Sequence, residues 1–302
     1  MSNSSHYTPP SSEAIESLQN EDVSIRLLLA QRRLYSKAKF HLSARLIGMA
    51  VIGVFAPVVS MFWPDWAVLT GAVAGLWIFL GRTWLSARER ILTEQAAAIQ
   101  ERFDFHVFAM PDVAPRGIAL SPEDVALETA YVTDLHRVAA EQHFFDWYPI
   151  KRETPGGISV AISQRANAAY ADRLLRITAN VWIACMIVWA TVLVVTSSVL
   201  EMTLSDFLLG IFLPILPAAL DVTDFMRNIG ISARERAELG AAIQSRLEDR
   251  GTPIEPGELQ VWQDRLFELR STAPLVPDIF YWLSRNRNEA AMHAAADGFR
   301  GG

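Results

Sequence analysis

The chain has 302 residues, 51% of them hydrophobic, with a net charge of −6 and one cysteine. The acidic balance argues against a nucleic-acid binder, and one Cys excludes a disulfide framework or a thiolate metal site. The length would suit one or two soluble domains, but the apolar residues are gathered into long uncharged runs, which argues against a purely soluble protein.

Residues 1–20 are polar and rich in Ser and Pro. They are expected to form a disordered tail, and they hold no recognisable cleavable signal peptide. Residues 21–45 are predicted to form a basic helix leading into a membrane, with Arg32, Arg33, Lys37, Lys39 and Arg45. Residues 46–64 carry no charge, and after Asp65 neither do residues 66–81. A helix needs about 20 apolar residues to cross a bilayer. The first run qualifies, and the second reaches that length if Arg82 snorkels and Trp84 lies at the interface. Residues 46–85 are therefore read as a first transmembrane hairpin. Its second span contains Gly71-x-x-x-Gly75, a spacing of small residues that lets helices associate closely.

Residues 86–176 read as a cytosolic helical region. Phe103, Phe105 and Val107 alternate with polar residues and could form a short strand. Ser121-Pro122-Glu123-Asp124 marks a helix start, and that helix is predicted to run to about His143. Residues 149–157 read as a loop. A second hairpin is assigned to residues 177–222, from the uncharged runs 177–200 and 207–220. The last run is the shortest and also fits a buried or re-entrant segment. Its Pro214 and Pro217 each remove a backbone donor and clash with the carbonyl four residues back. They predict a kink, either a hinge that lines a pore or a static bend. Residues 223–302 complete the cytosolic layer with two or three helices.

All 27 Lys and Arg lie outside the two inter-span turns, which hold only acids. The positive-inside rule then puts both termini and the middle segment in the cytoplasm. Trp63, Trp66, Trp84 and Trp182 lie near the span ends, as an aromatic belt requires. The fold class is thus an all-α membrane protein, four spans in two hairpins under a mostly helical cytosolic layer, with room for one short strand pair.

The hairpins are related by an internal repeat. Ser86-Ala87-Arg88-Glu89-Arg90 follows the first, and Ser232-Ala233-Arg234-Glu235-Arg236 follows the second. Ser86 with Glu89, and Ser232 with Glu235, match a capping box at a helix start. The predicted role is a cap at the membrane exit with arginines at the head groups, not a catalytic one.

Catalytic and metal signatures are missing. No phosphate-binding glycine loop, zinc-binding helix motif or nucleophile elbow occurs, so neither an enzyme nor a cofactor is expected. His136 and His143 lie seven apart, without the further ligands a metal needs. No span interior carries a charge, which counts against an ion-coupled transporter. Polar residues in the spans are limited to Ser60, Thr70, Thr191, Thr196, Ser197 and Ser198. A pore would need several protomers. One cytosolic cluster remains, Trp147 and Tyr148 with Gln164, Arg165 and Asn167. Aromatics beside Arg, Gln and Asn could form a nucleotide pocket. The favoured reading is that Trp147 and Tyr148 pack the cytosolic layer against the membrane-proximal helix and Arg165 meets lipid or an acid.

Several stretches resemble the S-4TM family, proposed pore-forming effectors of bacterial conflict systems. They are Leu28 to Lys39, Phe103 to Phe108, Asp146-Trp147-Tyr148-Pro149, Gln164-Arg165-Ala166-Asn167 and Pro274 to Tyr281. The resemblance covers nearly the whole chain after residue 20, with Ser163 and Ala166 standing where the family pattern has Cys and Ser. It implies a bacterial inner-membrane protein of antiphage defence and abortive infection. Such a protein would act as a homo-oligomer downstream of a nucleotidyltransferase and its cyclic nucleotide signal, and permeabilise the membrane. The alternative expectation is a membrane-anchored scaffold or receptor without pore activity.

Overall fold

The structure is a computed structural model describing residues 7–111, 116, 118, 120–249 and 252–277, apart from the side chains of residues 60, 61, 64, 67 and 214. Four long helical paths dominate it. Helix α1 spans Ser12–Gln19, and α2 runs Asp22–Phe62 without a break. A 3₁₀ turn at Pro64–Trp66 reverses the chain into α3, Ala67–Leu80. A π-helical turn, Gly81–Leu85, carries α3 directly into α4, Ser86–Val107. Two short helices follow, α5 (Pro122–Thr129) and α6 (Leu135–Gln142). Helix α7 runs Gly156–Val199. After a turn come α8 (Leu204–Phe207), a second π-helical turn at Leu208–Phe212, and α9, Leu213–Glu248. Helix α10, Pro256–Thr272, closes the described fold.

Three of these helices are long and apolar enough to cross a membrane, and the bent path from Leu204 to Glu248 makes a fourth if its two arms form one span. Their outer faces carry exposed Val54, Phe55, Val73, Phe79, Ile187, Val192 and Leu209. A belt of that size has no place in water and marks a lipid-facing surface. The protein is a multi-pass membrane protein, and no strand forms among the described residues.

Below the spans the same helices build a soluble core. Ile25, Leu28 and Leu29 of α2 meet Ile99 and Phe103 of α4, Val160 of α7, Ile243 of α9 and Leu266 of α10. The expected strand at Phe103, Phe105 and Val107 is corrected, because all three lie in α4. Ala96, Ile99, Phe103 and Val107 are fully buried and recur at helical spacing, so the longer period overrides the short alternation.

Residues 7–20 are not a disordered tail. Tyr7 is buried and its hydroxyl donates to the Phe108 carbonyl at 3.0 Å. Ile15 is fully buried, and Ser12 donates to the Thr154 carbonyl at 2.6 Å. The strap lies so close to the start of α7 that a Cβ on Gly156 would fall 1.7 Å from the Pro10 carbonyl oxygen, so only glycine fits there. A few well-placed apolar anchors outweigh the polar composition.

The single helix expected from Ser121 to His143 is two. Ser121 caps α5 in a capping box with Asp124. A second cap, Asp134, accepts from the Arg137 amide at 2.9 Å and restarts the chain as α6. His143 then ends α6 in the left-handed region. His136 faces Asp22 of α2, 3.1 Å away.

Candidate functional site

Asp104, on the apolar face of α4, is a fully buried carboxylate. A carboxylate there requires partners, and it has three. Tyr148 donates its hydroxyl to Oδ1 at 2.6 Å. Gln263 Nε2 and Arg270 Nη1, both of α10, donate to Oδ2 at 2.8 and 2.6 Å. Around this hub, Asn167 of α7 donates to the Tyr148 hydroxyl at 3.2 Å, and Gln164 donates to Gln263 Oε1 at 3.1 Å. Gln19, ending α1, holds Tyr148 by both its backbone groups.

Burial works against a charged Arg270, but the facing Asp104 carboxylate more than offsets it and holds the guanidinium protonated. Burial, reinforced by Asp104, raises Tyr148 well above the usual phenol range, so it remains a donor. One buried ion pair with two neutral donors therefore joins α4, which leaves the first hairpin, to α10, and Asn167 and Gln164 tie α7, which enters the second, to the same group.

The arrangement brings together Tyr148, Gln164 and Asn167 of the predicted cluster and turns their polar groups inward on one another. Trp147 and Arg165 lie apart from them. Trp147 is half-buried beside Phe144, and Arg165 Nη2 donates to Gln244 of α9 at 2.8 Å. Asp104, Gln263 and Arg270 were missing from the sequence reading. The available signal was a charge on the buried stripe that Ile99, Phe103 and Val107 define.

The capping-box reading of Ser86, Glu89, Ser232 and Glu235 is corrected. Ser86 continues a helix that has already begun, and its amide donates to the Gly81 carbonyl. Ser232 lies well inside α9. A cap needs orphan amides, and an unbroken helix leaves none. The repeats have other tasks. Arg236 is buried and donates to the Leu269 carbonyl at 2.6 Å, serving the free C-terminal end of α10. Ser86, Glu89, Ser232 and Glu235 line one cavity of about 720 Å³ where both hairpins leave the membrane.

Gly71 and Gly75 face outward with nothing within 4 Å, so this spacing does not join helices inside one chain. The close approach in that hairpin is made by Gly48, where a Cβ would fall 2.0 Å from the Trp77 ring. Pro217 lies inside α9, just after the π-helical turn, and the two arms of that path are bent by 62°. The kink expected of the proline pair is present. The side chain of Pro214, like residues 278–281 of the last resembling stretch, lies outside the described residues.

An all-helical layer fused to the apolar spans and cross-linked by a buried polar hub defines a multi-pass membrane protein with a built-in domain outside the membrane. The family model of the SMODS-associating 4TM effector domain matches residues 13–299, and the chain belongs to that family. It is thus a membrane effector of SMODS-associated systems. No curated protein and no solved structure matches the chain.

Proposed function

We propose that this effector acts without catalysis: a signal received by its cytosolic layer rearranges the spans, which then associate with other copies into a pore through the bacterial inner membrane. Both termini face the cytoplasm in this reading, as the distribution of basic residues favours. The signal is a cyclic nucleotide made by an associated nucleotidyltransferase.

The observation that carries the reading is helix continuity. Helices α2, α7 and α9 each pass from the soluble core into the membrane as one piece. A change at the hub therefore has to move the spans, since no flexible linker absorbs it. Two further features favour assembly. Only 6% of the apolar window of α7 is buried within the chain, leaving its surface for lipid or other copies. The hydroxyls of Thr70, Thr191, Ser197 and Ser198 each donate to the carbonyl four residues back, which satisfies their one donor within the protomer.

The test is to co-express the chain with its nucleotidyltransferase in bacteria and follow a membrane-potential dye. Depolarisation upon activation, lost in Asp104→Asn at equal membrane abundance, supports the reading. A polarised membrane with the protein present and the synthase active removes the pore. Partner capture without depolarisation would leave a membrane-anchored scaffold.

A further inference from the structure

The cavity at the membrane exit has a chemistry that its residues make specific. Arg45 ends the charged segment before the first span, Arg82 follows the second, and Asp221 follows the fourth. All three line this cavity, so it lies at the depth of the lipid head groups. It also joins the two hairpins, since Arg82 Nε lies 2.8 Å from Asp221 Oδ1, while Arg45 pairs with Glu89 at 3.3 Å within the first.

The lining holds both signs, three arginines against five carboxylates, with Phe225 and Ile231 as apolar wall. Some of these charges are weakly engaged. Arg90 is 75% exposed with Glu94 3.9 Å away, and Asp224 is 65% exposed with Arg82 3.8 Å away. An acceptor-rich cavity with arginines at hand suits a ligand that is itself anion and cation. The excess of carboxylate disfavours a net anion. A quaternary ammonium has no N–H to give those carboxylates, whereas a primary ammonium has three.

We propose that this cavity binds the head group of a phospholipid carrying a phosphate and a primary ammonium, as phosphatidylethanolamine does. The phosphate takes Arg82 and Arg90, and the ammonium takes Asp224 and Glu94. The acyl chains extend from the head group into the bilayer. The assignment does not depend on pore formation. It gives the repeated pentapeptides a shared purpose, since both contribute to a lipid site that straddles the hairpins.

The experiment uses the full chain purified in detergent and titrated with dihexanoyl lipids, with thermal unfolding as readout. The ethanolamine lipid should stabilise at about five- to tenfold lower concentration than the choline or glycerol lipid, as expected for charged hydrogen bonds at a half-exposed site. Arg90→Gln and Asp224→Asn are exposed changes, and each should erase that preference while leaving the lipid-free midpoint in place. Glycerophosphoethanolamine, which has the head group without chains, should bind more weakly than the lipid. Equal stabilisation by all three lipids overturns the proposal, as does a preference for the glycerol lipid or one kept by either variant. Equal binding of the chain-free compound also overturns it, by making the site one for a soluble amino-phosphate. Should one variant fail to fold, the other decides.

Discussion

The two hairpins share a repeated sequence but not a packing style. In the first, Gly48 lets the Trp77 ring into the backbone of α2, and Met49 and Ala56 are buried nearby. A third of the apolar window of α2 is buried within the chain, against 6% for α7 in the second hairpin. Both return paths contain a π-helical turn, but the first hairpin reverses through a short 3₁₀ turn, whereas the second returns along a path bent by 62°. Duplication thus supplied one hairpin with a tight turn and one with a bent return path. The difference assigns roles in the proposed mechanism, with the first hairpin as frame and the second as moving part.

The hub that joins the two halves offers the strongest way to break this contrast. Asp104→Ala strands the Arg270 charge in the core and should cost about 3–5 kcal/mol of stability, read by chemical unfolding in detergent. Adding Arg270→Met should recover much of that loss, because the uncompensated charge goes with it. The contrast itself is sharpened by paired glycine changes. Gly48→Ala forces a methyl into the Trp77 ring and should cost about 1–3 kcal/mol. Gly210→Ala in the second hairpin meets nothing within 4 Å and should be neutral or stabilising by up to about 1 kcal/mol. Equal penalties at both sites would remove the distinction between frame and moving part. Pro217→Ala restores a backbone donor inside α9 and should change stability by less than about 1 kcal/mol, yet alter depolarisation in the dye assay.

The smallest effect concerns the clamp between α9 and α10. The Arg246 guanidinium, 2.7 Å from Glu258, holds that carboxyl at about 2. A depressed carboxyl contributes stability that is complete above its ordinary value near 4.5 and is lost as pH falls toward 2. Glu258→Gln should flatten the acid limb of the unfolding curve over that window and change nothing at neutral pH beyond the missing pair.

Hydropathy is a local signal, and the uncharged runs fall within the long apolar helices. The uncharged runs and their flanking arginines were legible without any contact information. The Ser-x-x-Glu repeats misled because a capping box looks the same at a helix start and inside a helix that has already begun. Only the preceding residues decide, and both π-helical turns lie in stretches read as ordinary span. The hub was illegible for a different reason. It gathers residues 104, 148, 167, 263 and 270, and no window of sequence contains them together. Tyr148, Gln164 and Asn167 were singled out for their chemistry, yet their partners come from helices that only the tertiary fold brings near.

The unbroken course of α7 has a mechanical consequence. From Asn167, beside the hub, to Val199, at the far end of the span, the helix is a lever arm of about 48 Å at 1.5 Å per residue. A tilt of about 5° at the hub would sweep its tip sideways by roughly 4 Å, close to half the usual spacing of packed helices. A displacement of one bond length in the core is thereby magnified into the distance that separates a sealed helix contact from an open one.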